Sequence, residues 1–370
     1  MLFIPPTDLQ NFMKQAFIKT GVHESNAEIC AEILITSDLR GIESHGIGRL
    51  RMYIDRLLAG QIEPLAKPII IKETPTSAVV DGCHGIGMVI AHQSMRMAIA
   101  KASEFGIGGV AVRNSTHFGI DGYYAMMAAD AGMIGMSFTN ARPAVAPTFS
   151  TQPMLGTNPI AFGAPTDEEF PFLYDAATSI IQRGKIEVLA REGRMAQHGW
   201  VVDENGNSKN HPGEILDDLT SGHAALLPLG GEGETYGGHK GYGLSTIVEI
   251  LSACLQSGAF LLSLSGVDEN GNPSRFKVGH FFMAINIENF IPLEEFKQNI
   301  GSLLRQLRAA KKSPGHTRIF TAGEKEFLVE KRVRTEGVPI NENLRKDLIH
   351  IKEVLNLFDL PQLNQENQYD

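Results

Sequence analysis

The stretch Gly41-Ile-Glu-Ser-His-Gly-Ile-Gly-Arg-Leu50 sets Ser44, His45 and Arg49 close together on a backbone that carries three glycines. A histidine titrates near neutral pH and can give or take a proton; an arginine offers a planar fork that holds a carboxylate through two hydrogen bonds. The spacing predicts a helix over 44–58, with His45, Arg49 and Tyr53, four apart, projecting from one face. Ile47, Leu50, Ile54, Leu57 and Leu58 then form the buried stripe. Such a face suits a 2-oxo acid, with Arg49 for the carboxylate and a histidine for the carbonyl oxygen, the hydride still to come from elsewhere. Residue types alone fit an exposed helix with a surface histidine and a salt-bridged arginine equally well.

A second polar cluster, Arg113-Asn-Ser-Thr-His117-Phe-Gly119, directly follows the apolar run IGGVAV. Polar residues at the end of a strand in an α/β sheet are where ligands gather. Asp121, four residues beyond His117, is placed to orient its ring if the following helix begins that early. Thr139, Asn140 and Arg142 follow another apolar run, and Asp175, Thr178 and Ser179 a third. The glycine-rich stretch Leu229–Gly243 brings Lys240 to the start of a helix, an arrangement that suits an anionic ligand. No segment matches GxGxxG with an acidic residue about 20 positions on, so the Rossmann fingerprint is missing.

These clusters need a scaffold, and the patterning describes one. Helices are predicted near both chain ends: one from a Thr7–Gln10 capping box, one capped by Ser25, the 44–58 helix, and late ones at 293–311 and about 324–334. Between them, short apolar runs (SAVVDG, IGGVAV, IGMSFT, PIAFGAP, FLYDAA, FFMAINI) alternate with helical stretches at about 89–104, 121–131, 179–192 and 241–257. This is an α/β middle enclosed by a discontinuous helical part, with divisions expected at 1–75, 76–290 and 291–370. The chain has 370 residues, 43% of them hydrophobic, which is enough for a sizeable core. A net charge of −9 without long single-sign blocks argues against nucleic acid or an anionic membrane as a partner. No apolar run approaches the roughly 18 residues of a membrane span, and the start lacks a cationic leader, so a cytoplasmic location is expected. Cys30, Cys83 and Cys254 are scattered and read as buried structural thiols. The 12 histidines show no HExxH or similar spacing, so a metal-dependent hydrolase is disfavoured and no metal is expected.

Taken in order, SDLRGIESHGIGRL, NSTHFG, LGTNPIAFGAP, DAATS, RGK, GGHKGYGLS and TAGEKE resemble the malate/L-lactate dehydrogenase family often called type 2. That family also holds sulfolactate, ureidoglycolate and diketogulonate oxidoreductases and a cyclic imino acid reductase. The likeness runs from about Leu9 to about Leu344. It implies an α/β (α+β) fold: a non-Rossmann nicotinamide-binding domain on a mostly antiparallel sheet, plus a helical domain built from both chain ends. It further implies a homodimer with active sites near the subunit interface. The activity implied is hydride transfer between NAD, or NADP, and a small 2-hydroxy acid, with malate/oxaloacetate foremost. Lactate, sulfolactate, ureidoglycolate or a cyclic ketimine acid are the alternatives within the family.

Carried onto this sequence, the resemblance makes His117 or His45 the proton donor and acceptor, His117 being preferred, with Ser44 beside them. It gives Arg49 the substrate carboxylate, and Tyr53, on the same face by helical spacing, is expected with it on the substrate side. Cofactor contacts fall on Asp175, Ala176, Ala177, Thr178 and Ser179, on Lys240, and on Ala322, Gly323 and Glu324, with Thr139 and Asn140 lining the same cleft. The segment from Lys311 to Arg318 looks like the version in the malate and sulfolactate branches, which carry a second anionic group on the substrate.

Overall fold

In the computed structural model, residues 2–268, 270–358, 360 and 363 are described; 364–370, part of the expected C-terminal helical stretch, lie outside them. The chain opens with strand β1 (Leu2–Ile4) and helices α1 (Pro6–Lys19), α2 (Glu24–Leu39) and α3 (Leu50–Leu58). Helix α1 has Pro5 as its N-cap and no side-chain cap, so the Thr7–Gln10 capping box does not form; the fixed φ of proline starts the helix instead. At α2 the capping side chain is His23, whose ring accepts from the Ser25 backbone N–H, rather than Ser25 itself.

Helix α3 begins at Leu50, not at Ser44. The carboxylate of Asp38, only 4% exposed, accepts from the Ile47 N–H at 2.7 Å and pins the chain before it can coil. Gly46 fits there because it has no side chain: a Cβ would meet the Asp38 carboxylate at 1.9 Å. A single 3-10 turn at Ile47–Arg49 then leads into α3. Leu58, expected in the buried stripe, is exposed, whereas Ile47, Leu50, Ile54 and Leu57 are buried as the spacing required.

The middle of the chain continues with β2 (Ile69–Glu73), β3 (Ser77–Asp81), α4 (Gly87–Phe105), β4 (Ile107–Ser115), α5 (Gly122–Asp130), β5 (Met133–Thr139), β6 (Ile160–Ala164) and β7 (Phe172–Ala176). Then come α6 (Arg183–Arg191), β8 (Val201–Asp203), α7 (Pro212–Ser221), β9 (Ala224–Leu226), α8 (Gly238–Ser252) and β10 (Val278–Asn286). The last elements are α9 (Leu293–Ala309), α10 (Glu324–Glu336), β11 (Val338–Ile340) and α11 (Glu342–Leu355). The predicted helices at 179–192 and 241–257 are thus shorter: 179–182 is an irregular, bent stretch with Ser179 bridged to Pro228, and α8 ends at Ser252.

Seven strands form one mixed sheet in the order β2-β3-β4-β10-β5-β6-β7, in which β3 and β4 run parallel and every other neighbouring pair is antiparallel. The late strand β10 inserts between β4 and β5, so the ends of β4 and β5, with the loops that carry His117 and Asn140, lie close to β10. Helix α4 packs on β4 and β10, α5 on β5 and β6, and α8 on β10, β5 and β4. Close packing rests on glycine: a Cβ on Gly108 would meet the Ala98 carbonyl oxygen of α4 at 2.1 Å.

The two chain ends meet. Strand β1 pairs antiparallel with β11, Leu2 opposite Ile340, while α11 packs on α1 and α3 and α10 packs on α2. One continuous apolar core runs from Phe12, Phe17 and Leu34 through Met95 and Val110 to Leu348 and Ile351. Cys30 is buried, but Cys83 is part-exposed and Cys254 exposed, so only the first is a core thiol. Among the described residues no helix is long and apolar enough to cross a membrane.

Candidate active site

The face of α3 decides what comes together. Tyr53 is fully buried, and its hydroxyl lies 2.5 Å from Nδ1 of His117, which hangs just beyond the end of β4. The Gly119 N–H points at the same nitrogen from 3.4 Å, and the His117 carbonyl oxygen is 3.4 Å from the tyrosine hydroxyl. His45 does not sit on the helix; it is held in the turn before it. Its ring nevertheless stacks on that of His117, with centroids 5.5 Å apart and planes inclined by 23°. Ser44 Oγ lies 2.8 Å from Nδ1 of His45, and Arg49 Nε donates to the Ser44 carbonyl oxygen at 2.6 Å. Ser44, His45, Arg49, Tyr53 and His117 therefore form one cluster. The sequence spacing put Tyr53 on the substrate side; the structure puts it behind His117, closed off from solvent.

Asp121 does not orient His117. Helix α5 starts only at Gly122, so Asp121 lies outside its regular turns; its carboxylate is buried and accepts from the Ser137 hydroxyl of β5. Tyr53, 64 positions away in sequence, takes the orienting role instead.

Burial first, and Arg49 second, push the His45 imidazole down to about 4. Burial, then the charges of His45, Arg49 and Arg56, hold His117 well below the usual histidine range. Burial raises the Tyr53 phenol, which stays protonated. At neutral pH the cluster consists of two neutral imidazoles and a phenol beside a permanent guanidinium. Both catalytically useful forms of His117, the imidazolium and the neutral ring with a bare Nε2, carry hydrogen on Nδ1, and in them the Gly119 N–H is left to the Tyr53 oxygen instead of that nitrogen. Tyr53 can accept that hydrogen bond while turning its own proton toward the His117 carbonyl oxygen.

Beside this cluster runs an open cleft of about 300 Å³, lined by Arg40, Ile42, Gly122, Asp175, Gly323 and Lys325 among others. Asp175 accepts from the Gly122 N–H at 2.7 Å. Asp175 is exposed to the cleft; desolvation by the surrounding wall raises its carboxyl group to about 6, against the opposing pull of the Gly122 N–H and Arg40. Gly323 takes a φ of +87°, and a Cβ there would press on the Pro171 carbonyl oxygen and the Leu173 nitrogen at 3.1 Å. Gly323 thus lets this turn pack against β7, and the cleft it borders, with the Asp175 carboxylate and with Arg40 and Lys325 on its walls, suits a ligand that carries both hydroxyl and phosphate groups.

Glu324 faces away from this cleft. Its buried carboxylate accepts from the Thr321 N–H at 3.0 Å and from Arg318, with Arg308 at 3.6 Å. Burial would raise that carboxyl group, but these donors together hold it below its ordinary value. Glu324 thus braces the turn that carries Ala322 and Gly323.

The other residues expected at the cofactor are not gathered here. Thr139 and Asn140 are buried: the Thr139 hydroxyl lies 2.8 Å from Nδ1 of the buried His280, and the Asn140 amide accepts from the Gly279 N–H and donates to the Ala259 carbonyl oxygen. Thr178 and Ser179 spend their hydroxyls on the Asn158 and Ile181 carbonyl oxygens. Ala176 closes β7 and Ala177 follows it, next to Asp175. Lys240 lies exposed in the first turn of α8 and is absent from the cleft lining. Sequence reasoning passed over Arg40 and Arg56. A signal existed for Arg56, which stands seven residues beyond Arg49 on the same helical face.

Comparison with known proteins adds three findings. The sequence model of a family described as malate/L-lactate dehydrogenase matches residues 4–349. A protein named malate dehydrogenase from Pyrococcus horikoshii is 44% identical over 348 residues, 94% of each chain, and one named malate/(S)-sulfolactate dehydrogenase from Methanothermus fervidus is 34% identical over 96% of this chain and 99% of its own. The crystal structure of a malate dehydrogenase from Entamoeba histolytica superposes with a TM-score of 0.93 at 44% identity, covering 97% of this chain and 99% of the other.

Proposed function

Since the chain belongs to the malate/L-lactate dehydrogenase family, we propose that it is a nicotinamide-dependent 2-hydroxy acid dehydrogenase whose principal substrate pair is malate and oxaloacetate. The observation that carries this reading is the His45–His117 stack with Arg49 fixed beside it. Arg49 takes the carboxylate next to the reacting carbon as a bidentate pair. His117 transfers the proton at the substrate oxygen: its neutral Nε2 takes the hydroxyl proton in oxidation, and the imidazolium returns it in reduction. Bound carboxylate offsets the positive field of Arg49 and so raises the proton affinity of His117 when the substrate is in place. His45, held by Ser44, hydrogen-bonds the same oxygen or borders the cofactor.

The cofactor is NAD, with NADP the other candidate. The cleft fits such a group: Asp175 can accept from ribose hydroxyls and Lys325 can face its phosphates, while the buried Arg40 guanidinium on the same wall is paired with Glu330 at 3.5 Å. When bound, the nicotinamide ring supplies or accepts the hydride. Thr139, Asn140, Thr178, Ser179 and Lys240 support this site from the interior or from its rim. The mostly antiparallel sheet supports the reading of residues 76–290 as a nicotinamide-binding domain outside the Rossmann design, with 1–75 and 291–370 as a helical domain around it.

The protein works as a homodimer in this reading. Helix α8 supports it, because its polar residues Ser245, Glu249 and Ser252 face inward while Leu244, Ile247 and Ile250 stand exposed, the reverse of a surface helix. Sedimentation showing only monomer at micromolar concentration would remove that part.

Steady-state assays with NADH and NADPH against oxaloacetate, pyruvate, sulfopyruvate and piperideine-2-carboxylate test the whole reading. Oxaloacetate should give the highest kcat/KM. Absence of cofactor oxidation with every 2-oxo acid would sink it.

A further inference from the structure

Arg49 and Arg56 lie along α3, Arg142 follows β5 close enough for its charge to act on Arg56, and among the described residues none of the three is paired with a carboxylate within 4 Å. Arg49 is the N-cap of α3 and already close to helical backbone geometry, so Arg49, Tyr53 and Arg56 follow one face over two turns, roughly 10.5 Å of helix. The Tyr53–His117 hydrogen bond shows which way that face looks: toward the reacting histidines. Arg56 stacks its guanidinium on the Phe276 ring at 4.2 Å, which leaves its in-plane donors open.

The segment bearing Phe276 is tied in turn to the one bearing Arg142. The Gly279 N–H donates to the Asn140 side chain at 2.8 Å, and the Asn140 N–H donates back to the Gly279 carbonyl oxygen at 3.2 Å. The His84 ring holds the Phe276 carbonyl oxygen at 2.9 Å from the other side. As a result, the charges of both Arg49 and Arg142 bear on Arg56. Three guanidiniums whose charges act on one another hold more positive charge than one carboxylate balances. A ligand with two acid groups relieves this repulsion, and one with a single acid group leaves most of it standing.

We propose that Arg56 and Arg142 are the specificity-determining residues of this site, binding the second acid group of a dianionic C3–C4 2-hydroxy acid while Arg49 holds the first. This inference rests on the dehydrogenase reading for its substrate class, though the subsite itself does not depend on turnover. It divides the substrates by charge: acids with a distal carboxylate or sulfonate bind in full, whereas lactate-type monoanions use Arg49 alone.

The test compares oxaloacetate with 2-oxobutyrate, similar in length and differing in the distal charge, on Arg56→Gln, Arg142→Gln and the two Lys counterparts. Each Gln variant should lower kcat/KM for oxaloacetate at least roughly 30-fold more than for 2-oxobutyrate, through KM rather than kcat, and Lys should recover part of the loss. Equal losses on both substrates, or none on oxaloacetate, overturn the proposal. A second arm reads binding without chemistry: with no nicotinamide cofactor present to accept a hydride, tartronate, which has two carboxylates, should stabilise the wild-type protein against heat, and its half-saturating concentration should rise at least roughly 10-fold in the Gln variants. No change there overturns the subsite. A wild-type protein that turns over no 2-oxo acid, yet shows Arg-dependent stabilisation by tartronate, would remove the dehydrogenase reading and keep the subsite.

Discussion

Near His117, Arg49, Arg56 and, through its charge on Arg56, Arg142 have no carboxylate paired to them among the described residues, whereas beside the Gly323 turn the charges are locked together. There Glu324 holds Arg308 and Arg318, and Glu168 holds Arg305 and Arg308. The difference teaches what each region is for. Massed like charges cost folding energy, and a protein keeps them where a ligand will supply the missing sign. A paired network does the opposite: it satisfies its charges internally and spends them on holding a backbone turn in place.

The comparison breaks most sharply at His117. Replacing it with Gln should lower kcat/KM about a thousand-fold in both directions while the melting temperature changes little, because its loss removes proton transfer and leaves the scaffold in place. A His117→Gln enzyme within tenfold of wild type would move the proton role to His45.

Next in size is Tyr53→Phe, which keeps the buried ring and deletes one hydroxyl. Kcat should fall about 10- to 100-fold. The pH profile is the sharper readout. Reduction needs the imidazolium, so its rate falls as pH rises through the His117 pKa, which already lies below the usual histidine value. The Tyr53 oxygen accepts from Nδ1–H and so stabilises the imidazolium; removing it lowers that pKa further, and the falling limb should move to more acidic pH. A limb that stays in place or moves toward alkaline pH would contradict the orienting role.

The paired region should respond in another currency. Glu324→Gln leaves Arg308, Arg318 and the Thr321 N–H facing a neutral amide, and should destabilise the fold by about 3 kcal/mol in denaturant unfolding. The effect on catalysis should be the smallest of the three, a several-fold rise in the KM for the cofactor with kcat near wild type. A large loss in kcat with unchanged stability would place Glu324 at the chemistry instead.

Much of the scaffold was legible because it rests on local spacing. The apolar runs of β4 and β10 and the stripes of α4, α5 and α9 follow directly from periodicity. The start of α3 was not, because the residue that delays it, Asp38, acts through a buried hydrogen bond to Ile47 that helix periodicity does not register. Arg49 and Tyr53 share the predicted face, while His45 joins it through a turn.

The types and order of the chemical groups belong to the sequence itself: a histidine after β4, a His–Arg pair on a glycine-rich stretch, and an acid near the end of β7. Which of them touch was decided by the tertiary fold. Tyr53 reaches His117 across 64 positions, and the charge of Arg142 bears on Arg56 in a fold where β10 inserts beside β5 and brings Gly279 to Asn140. A late strand entering the middle of a sheet leaves no local trace in the sequence around the residues it draws together, since its hydrogen bonds are made by backbone that every residue carries.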